Sequence, residues 1–231
     1  YGHLGTFECE CCGYSRQPSD ITCLKVNELN SSYTKIELSI DEEKYKAKVN
    51  LPGLYNVYNA LAAVSCGHML NLSPESIISS LETFESSFGR METIKTDGKT
   101  IKLILVKNPA GFNQVINFLL TESKENQIAF LINDKLADGT DVSWLWDVDF
   151  EELTKVQENI SSFYTSGTRA EDMAVRLKYA GIYSDKIEII KDYEELIQKG
   201  LSSTEKGHNF YILPTYTALL DIRGFLKKKF G

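Results

Sequence analysis

The segment Asp138–Phe150 concentrates side chains that could do chemistry, since it holds four aspartates and both tryptophans of the chain. A carboxylate buried without a partner is costly, or its pKa rises until the group is neutral. Carboxylates that alternate with indole rings are therefore unusual for a plain core and for a plain loop. We expect this segment to direct a charge at a ligand, a metal or another protein.

A second group of reactive side chains lies near the beginning of the chain. Cys9 and Cys12 form a C-x-x-C pair followed by Gly13, a turn that can present two thiolates to one zinc ion. Because a structural zinc needs four ligands, we expect the second pair to lie upstream of Tyr1. Cys23 and His3 are alternative ligands with less usual spacing, and a set of free thiols in a surface loop is the simpler alternative.

The cysteine content also bears on the class of protein. The chain has five cysteines, three of them within four positions: Cys9, Cys11, Cys12, Cys23 and Cys66. An odd, crowded set does not indicate the disulfide framework of a secreted protein. Cys66 lies among small apolar residues, and we expect it to be a small buried hydrophobic side chain.

The composition excludes several functions. At 231 residues, 42% hydrophobic and 25% charged, the chain suits one large or two modest globular domains. Its net charge of −7 argues against a general nucleic-acid-binding protein, which needs a basic face.

The longest apolar runs, Ile101–Val106 and Ile128–Ile132, are far shorter than the roughly 20 residues of a transmembrane helix, and no signal peptide is visible. Because the chain opens at Tyr1 inside what resembles a motif, we expect a C-terminal part of a longer protein.

The first half of the sequence predicts a hairpin and two helices after a loop-like stretch over residues 1–24. Tyr33–Ile40 and Lys44–Val49 alternate polar and apolar residues, which predicts a β-hairpin. Tyr55–Leu70 is rich in alanine and predicts a helix. Ser73 as N-cap, followed by proline, predicts a second helix that ends near Phe84.

From about Thr96 the pattern changes to alternating strands and helices. The predicted strands are Ile101–Val106, Ile128–Ile132, Ile160–Thr165, Ile187–Ile190 and Phe210–Leu213. The predicted helices are Gly111–Leu120, Phe150–Val156, one opened by a capping box at Thr168–Glu171 and closed by Gly181, Tyr193–Lys199 and Tyr216–Lys228. Uninterrupted apolar strands separated by helices predict a mostly parallel sheet covered on both faces, as in a Rossmann-like α/β domain. The turn signal Asp97-Gly98 marks its boundary.

Ligands of such sheets bind beyond the carboxyl ends of the strands. Three loops should lie there, at residues 107–113, 133–141 and 165–169. The first carries Asn108 and Asn113 with a lysine and a glycine before a helix, an arrangement that can bind a phosphate or carboxylate. Ordinary helix capping is the alternative. Ser166-Gly-Thr, also before a helix, equally suits an anion or a plain turn.

Further upstream, Asn56 and Asn59 lie three residues apart on the first turn of a predicted helix. Side-chain amides there can contact an adenine edge or a ribose, because each offers both a donor and an acceptor. The alternative is that they satisfy the free amides of the helix. Arg90, just before the domain boundary, could bind a phosphate held in a cleft between domains.

The order of these motifs resembles the Mur ligase family. Gly-x-x-Asn-x-x-Asn-x-x-Ala-Ala at 53–63 is followed by Gly-Arg-x-Glu at 89–92 and then by the alternating domain. Members are ATP-dependent amide-forming enzymes of peptidoglycan synthesis, related to folylpolyglutamate synthetase, with a substrate domain, a central P-loop ATPase domain and a Rossmann-like C-terminal domain. This chain lacks Gly-x-x-x-x-Gly-Lys-Ser/Thr. The resemblance therefore implies a partial zinc-ribbon insertion over residues 1–30, the end of the central domain over 31–95 and the C-terminal domain over 96–231.

Longer motifs narrow the resemblance to a branch of the family that amidates with a separate glutaminase subunit, found in Gram-positive bacteria. They are the cysteine knuckle, residues 107–113, the Asp-Gly-x-Asp-Val-Ser-Trp run from Asp138 to Trp144, and residues 172–181. Together they span nearly the whole chain. Cys11 departs from that pattern by adding a third cysteine to the knuckle.

The resemblance implies a complete reaction. A GatD-like glutaminase, the partner in a heterodimer, releases ammonia from glutamine. The ligase subunit uses ATP and Mg²⁺ to convert the α-carboxyl of D-glutamate in the lipid II stem peptide into an acyl phosphate, which ammonia converts to D-isoglutamine. The reaction takes place in the cytoplasm at the inner face of the cell membrane, and the fragment without its P-loop would be inactive alone. An amino-acid-adding Mur ligase without a glutaminase and a non-catalytic docking module are the alternatives.

The resemblance also implies roles for particular residues. Asn56, Asn59 and Arg90 would contact ATP, Asn108 and Asn113 would line the cleft, and Glu92 is a weaker candidate. The P-loop lysine and the main magnesium ligands would lie upstream, and Cys9 and Cys12 would bind structural Zn²⁺.

The aspartates of the opening segment would act on the partner. A Cys–His glutaminase commonly uses an acid to orient its histidine. Asp141 is the first choice for that acid and Asp138 the second, with turn and capping roles as the alternative for both. Trp144 and Trp146 would be interface or core anchors.

Overall fold

The structure is a computed structural model that describes residues 7–30, 32–84, 90–121 and 125–230, without the side chain of Arg90. Its first part is an antiparallel sheet of three strands, β1 (Ile21–Leu29), β2 (Thr34–Ile40) and β3 (Glu43–Val49). The pair β2–β3 is the predicted hairpin. Asp41 and Glu42 both have positive φ, as a two-residue turn between right-twisted strands requires.

Strand β1 was not predicted, and its first four residues lie in the stretch 1–24 that was predicted to be loop-like. Its pairing with β2 shifts register between Cys23 and Lys25 and again between Val26 and Glu28. Each bulge places two successive residues against one on the neighbouring strand, so the alternation of period two is lost from the sequence.

Two helices pack on this sheet, α1 (Leu54–Met69) and α2 (Pro74–Thr83). Ser73 caps α2 as predicted, because its hydroxyl accepts a hydrogen bond from the amide of Ser76 at 3.3 Å. The prediction for Cys66 was wrong. The buried face of α1 consists of Asn56, Val57, Ala60 and Val64, and Cys66 lies on the exposed side.

The second part is a six-stranded sheet in the order β4-β5-β9-β6-β7-β8. Its strands are β4 (Arg90–Thr96), β5 (Lys99–Ile104), β6 (Asn126–Leu131), β7 (Ile160–Ser166), β8 (Ile187–Ile189) and β9 (Asn209–Pro214). All neighbouring pairs are parallel except β4–β5. The prediction of a mostly parallel sheet is confirmed.

Helices cover both faces of this sheet. They are α3 (Pro109–Leu119), α4 (Ala170–Tyr179), α5 (Tyr193–Ser203) and α6 (Tyr216–Phe230). On one face α3 and α4 bury Phe112 and Met173; on the other, α5 and α6 bury Leu196 and Leu219. Three short 3₁₀ helices between β6 and β7 complete the layer formed by α3 and α4: Ser143–Asp147, Phe150–Lys155 and Gln157–Asn159. No helix within the described ranges is both long and apolar enough to cross a membrane.

Strand β4 was not predicted. The Asp97-Gly98 turn joins β4 to β5 in one hairpin, with positive φ at both residues, so the large sheet begins at Arg90, upstream of the first predicted strand Ile101–Val106. Met91 has a φ of 61°, and the register shifts between Arg90 and Glu92. This bulge, together with the polar composition of β4, hides the strand in the sequence.

The predicted capping box at Thr168–Glu171 was wrong. Arg169 precedes the first residue of α4, and its side chain makes no capping hydrogen bond. The Thr168 hydroxyl instead donates to the Asp134 carboxylate at 2.7 Å and accepts from the Asp134 amide at 3.1 Å. The preceding turn requires glycine, because a Cβ on Gly167 would lie 2.4 Å from the carbonyl oxygen of Ile132.

Candidate functional site

The carboxyl ends of β6, β7 and β9 meet at one polar junction. Asn133, buried just after β6, donates its main-chain N–H to the Thr215 hydroxyl at 3.0 Å and its side-chain amide to the Thr217 hydroxyl at 2.9 Å. Its carboxamide oxygen accepts from the Thr168 amide at 3.0 Å. One asparagine thus fixes the loops that follow three strands. This junction supports the base of the segment that contains Asp138 and Asp141.

The carboxylate of Asp138 is hydrogen-bonded within this junction. Its carboxylate accepts hydrogen bonds from the main-chain N–H and the hydroxyl of Thr217, at 2.7 and 2.6 Å, at the start of α6. A carboxylate at a helix N-terminus satisfies free amides and interacts favourably with the helix dipole. Asp138 therefore has the capping role that was the alternative for it.

Asp141 is exposed and points its charge away from such a network. One carboxylate oxygen accepts a hydrogen bond from the Ser143 amide at 2.8 Å, which starts the 3₁₀ helix Ser143–Asp147. This main-chain bond, with a contribution from the Ser143 side chain, holds the pKa of Asp141 below its ordinary value of 3.8. The carboxylate is therefore ionised at neutral pH and held in a defined turn at the surface.

The two tryptophans have different environments. Trp144 packs against the core, with its ring 6.2 Å from that of Phe112. Trp146 is 56% exposed and packs edge-on against Tyr179, which is 73% exposed. Trp144 thus anchors the segment, whereas Trp146 belongs to the surface beside Asp141.

The amides predicted to line a cleft are engaged within the chain. The Asn108 side chain caps α3 by accepting from the Gly111 amide at 2.8 Å. Asn113 forms a reciprocal pair with Asp149: its amide donates to the carboxylate at 2.7 Å, and its oxygen accepts from the Asp149 main-chain N–H at 2.9 Å. Both side chains thus stabilise loops at the carboxyl edge of the sheet, where the sequence predicted them.

The predicted nucleotide contacts lie at two places. Asn56 is buried; it donates to the Pro52 carbonyl at 2.7 Å and accepts from the side chain of Asn59, which is itself exposed. Arg90 begins β4, with its side chain outside the described part. Glu92 accepts from Arg223 with both carboxylate oxygens, at 3.1 and 2.8 Å, and so fastens β4 to α6.

A cavity of about 440 Å³, which was not predicted from the sequence, lies between β1, α1 and α3. The lining residues come from β1, from α1 and the glycine before it, and from α3 and the residues that follow it: Val26, Leu29, Gly53, Leu54, Tyr55, Tyr58, Gln114, Asn117, Phe118 and Thr121. A cavity of this size can hold a small organic ligand. Tyr55 and Tyr58 lie inside the same motif as Asn56 and Asn59, so the motif could have identified this wall.

The cysteine knuckle has the shape of a two-ligand turn. The Gly13 amide donates to the Cys9 carbonyl at 2.9 Å, and Gly13 has a φ of 71°. Main-chain hydrogen bonds from Cys12 and Cys11 lower the pKa of the exposed Cys9 thiol, which favours the thiolate. Within the described part of the chain, no three histidine, cysteine or acidic side chains are grouped to hold a metal. Cys23 lies on β1, where burial raises its pKa, and His3 lies outside the described residues.

Comparison with known proteins gives consistent results. Residues 105–219 match the family model described as MurT ligase C-terminal. The chain is 34% identical over 229 residues to the lipid II isoglutaminyl synthase (glutamine-hydrolyzing) subunit MurT of Streptococcus pneumoniae, covering 99% of this chain and 49% of that protein. It is also 34% identical to MurT of Staphylococcus aureus strain COL, covering 100% of this chain and 50% of that protein. The chain therefore spans about half the length of the curated relatives it matches.

More distant relatives show the fold. A UDP-N-acetylmuramoylalanine–D-glutamate ligase of Bacillus cereus strain AH820 is 25% identical over 87% of this chain and 40% of that protein. A crystal structure of MurF from Acinetobacter baumannii superimposes with a TM-score of 0.71 at 19% identity, covering 92% of this chain and 46% of that chain. MurC from Thermotoga maritima gives a TM-score of 0.67 at 14% identity, over 93% and 46% of the two chains. The chain has a Mur ligase-like α/β fold with a mixed sheet.

Proposed function

We propose that the protein is the ligase subunit of a lipid II isoglutaminyl synthase, because residues 105–219 match the family model described as MurT ligase C-terminal. With a GatD-like glutaminase it amidates the α-carboxyl of D-glutamate in the lipid II stem peptide at the cytoplasmic face of the membrane. The product is D-isoglutamine. Similarity over the whole chain to subunits of that name supports the proposal.

The proposed coupling between the ligase subunit and a glutaminase rests on the environment of Asp141. A Cys–His glutaminase needs its histidine held in the productive tautomer, and a carboxylate performs that task. Asp141 is exposed, ionised at neutral pH and fixed by its bond from the Ser143 amide, at 2.8 Å. An acid delivered by the ligase subunit would make ammonia release depend on assembly of the two subunits.

The amidation requires ATP and Mg²⁺, because a carboxylate is a poor electrophile and phosphorylation supplies the leaving group. We place the nucleotide beside Asn56, Asn59 and Arg90. Asn59 fits this role because its side chain is exposed and it directly follows Tyr58 of the cavity wall. Its side-chain nitrogen donates to the side-chain oxygen of Asn56 at 3.2 Å, which orients it. Asn108 and Asn113 shape the cleft through bonds they already make within the chain.

The finer domain assignment belongs to the same proposal. We assign part of a zinc ribbon to residues 1–30, the end of the central ATPase domain to 31–95 and a Rossmann-like C-terminal domain to 96–231, with β1 pairing into the sheet of the second range and β4 into the sheet of the third. Cys9 and Cys12 supply two thiolates to a structural Zn²⁺ whose remaining ligands lie outside this pair. The turn at Gly13 and the lowered pKa of Cys9 suit such a site.

The test uses full-length protein reconstituted with its glutaminase. Asp141→Asn keeps an oxygen that can accept from the Ser143 amide but removes the charge. We expect glutamine hydrolysis to fall by about 100-fold or more, while assembly and amidation driven by added ammonium stay unchanged. Asp147→Asn, at a second exposed aspartate of the same segment, is the matched control. Unchanged hydrolysis in an assembled Asp141→Asn complex would contradict the role of Asp141.

A second function is favoured by one observation, the 25% identity to a UDP-N-acetylmuramoylalanine–D-glutamate ligase. An amino-acid-adding ligase would form its amide with an amino acid and would respond to neither glutamine nor ammonium. Product analysis by mass spectrometry with glutamine, ammonium and D-glutamate in separate reactions distinguishes the two. A docking module would convert none of the three.

A further inference from the structure

One buried side chain, Arg176 of α4, holds the segment that follows Asp141. Arg176 is 3% exposed. Its Nε donates to the Leu145 carbonyl at 3.1 Å, and one terminal nitrogen donates to the Val148 carbonyl at 2.7 Å and to the Glu151 carboxylate at 2.9 Å. The guanidinium therefore binds the middle of one 3₁₀ helix, the link after it and the next 3₁₀ helix.

These contacts suit the planar fork of a guanidinium. The last carbonyls of a short helix have no partner within the helix, so they need donors from elsewhere. A guanidinium offers several N–H donors in one rigid plane, whereas an ammonium is a single point on a flexible stem. The plane also lies against two rings, with its carbon 5.3 Å from the centre of Trp146 and 5.2 Å from that of Phe150.

These hydrogen bonds of Arg176 also bear on the position of the Asp141 carboxylate. The carboxylate is bonded to the Ser143 amide, the first residue of the 3₁₀ helix Ser143–Asp147. Leu145, in the middle of that helix, bonds the Val142 carbonyl through its amide at 3.1 Å and Arg176 through its carbonyl. A displacement of Leu145 is thus passed to the turn that orients Asp141.

We infer that Arg176 is a positioning residue for the Asp141 carboxylate, holding the 3₁₀ helix so that the acid meets a partner histidine at the right place. The inference rests on the proposed role of Asp141 in glutamine hydrolysis. The role of Arg176 is indirect. It acts through the Leu145 and Val148 carbonyls, and the exposed Trp146 ring rests on its face.

The test measures two activities of the full-length complex, glutamine hydrolysis and amidation from added ammonium. Arg176→Lys keeps the charge but replaces the guanidinium plane, whose Nε and terminal nitrogen bond Leu145 and Val148 separately, with a single ammonium. We expect it to lower kcat for glutamine hydrolysis about 10-fold, because small misplacement of a catalytic group has large effects, with KM for glutamine and ammonium-driven amidation unchanged. Adding Asp141→Asn to Arg176→Lys should lower hydrolysis no further than Asp141→Asn alone, because both act on one group.

A control and a second variant make the outcome decisive. Lys186 also donates to two main-chain carbonyls, of Gln157 and Ile160 at 2.6 and 3.1 Å, but away from Asp141, so Lys186→Met should leave both activities unchanged. Glu151→Gln removes only the charged partner of Arg176 and should lower hydrolysis several-fold, which keeps the test valid if Arg176→Lys fails to fold.

Two results overturn the inference. Equal loss of both activities in Arg176→Lys, or losses that multiply with those of Asp141→Asn, would show a general structural role. If Asp141→Asn impairs hydrolysis while Arg176→Lys and Glu151→Gln do not, only the role of Arg176 fails. An Asp141→Asn complex with full hydrolysis overturns the proposed role of Asp141 and this inference together.

Discussion

At the scale of single residues, two aspartates three positions apart have different structural roles. Asp138 faces the first turn of α6 and binds Thr217 through both carboxylate oxygens. Asp141 faces solvent and makes a local turn with Ser143. The residue type is the same, and the difference comes from what the fold places opposite each side chain.

This contrast predicts a loss of stability at Asp138 and almost none at Asp141. Asp138→Ala should lower the free energy of unfolding by about 0.5–2 kcal/mol, the usual loss when a helix cap is removed, and Asp138→Asn should restore most of it. Asp141→Asn should leave stability nearly unchanged, because its oxygen can still accept from Ser143. Urea denaturation of the three variants measures this. Equal losses at both positions would contradict the assignment.

The Arg176–Glu151 pair predicts a pH dependence. The hydrogen bond from Arg176 holds the pKa of Glu151 below its ordinary value of 4.5 in the folded protein. A carboxyl whose pKa is lowered by folding stabilises the fold above its ordinary pKa and loses that contribution as the pH falls through the lowered pKa.

Stability against pH should therefore differ between wild type and Glu151→Gln. The difference should be constant near neutral pH and should disappear as the pH falls well below 4.5. Because the Glu151 side chain is 57% exposed, its size should be at most about 1 kcal/mol. Thermal unfolding at a series of pH values tests this. A difference that grows towards low pH would have the wrong sign.

At the scale of elements, two helical glycines show how packing decides the effect of one methyl group. A Cβ on Gly200 of α5 would lie 2.3 Å from the Phe210 ring of β9, whereas a Cβ on Gly224 of α6 would meet nothing within 4 Å. The first glycine therefore permits the helix to approach the sheet. The second only lowers helix propensity.

The two alanine substitutions should have opposite signs. Gly224→Ala should raise the free energy of unfolding by up to about 1 kcal/mol through helix propensity. Gly200→Ala should lower it by about 1–3 kcal/mol, because Phe210 must move within a packed core. Chemical denaturation of both variants provides the comparison, each serving as the control for the other. Stabilisation by Gly200→Ala would show that the α5–β9 packing is looser than this.

At the scale of the whole molecule, an exposed apolar surface lies against Val142 and Ser143, the residues that follow Asp141. It consists of Trp146, Val175 and Tyr179, and the last two lie one turn apart on α4. All three are about half exposed or more. Large aromatic side chains at this exposure often anchor protein interfaces, and this surface adjoins the group proposed to enter the glutaminase.

We expect Trp146→Ala to weaken assembly of the proposed heterodimer by about 30-fold, the effect of losing an interface anchor of roughly 2 kcal/mol. Met69→Ala, at another exposed apolar residue, on α1, is the control and should bind normally. Isothermal titration of the glutaminase into each full-length variant measures the Kd. Normal affinity of Trp146→Ala would exclude this surface as an anchor.

Much of this architecture followed from the sequence, because the period of apolar residues is a local property. The hairpin β2–β3, the helices α1 and α2 and the strands β5 to β9 lie where the pattern predicted them. The two missed strands, β1 and β4, contain bulges, which interrupt the alternation that identifies a strand. Cys66 was misjudged for a related reason, since composition does not say which face of α1 turns inward.

The sequence by itself determined the family resemblance, the segment that should carry the chemistry and the residue types available there. Only the tertiary structure separated Asp141 from Asp138, assigned Asn113 to Asp149 and revealed Arg176 beneath the segment. These pairings join residues far apart in the chain. Their energies depend on distance, direction and burial, which no local pattern encodes.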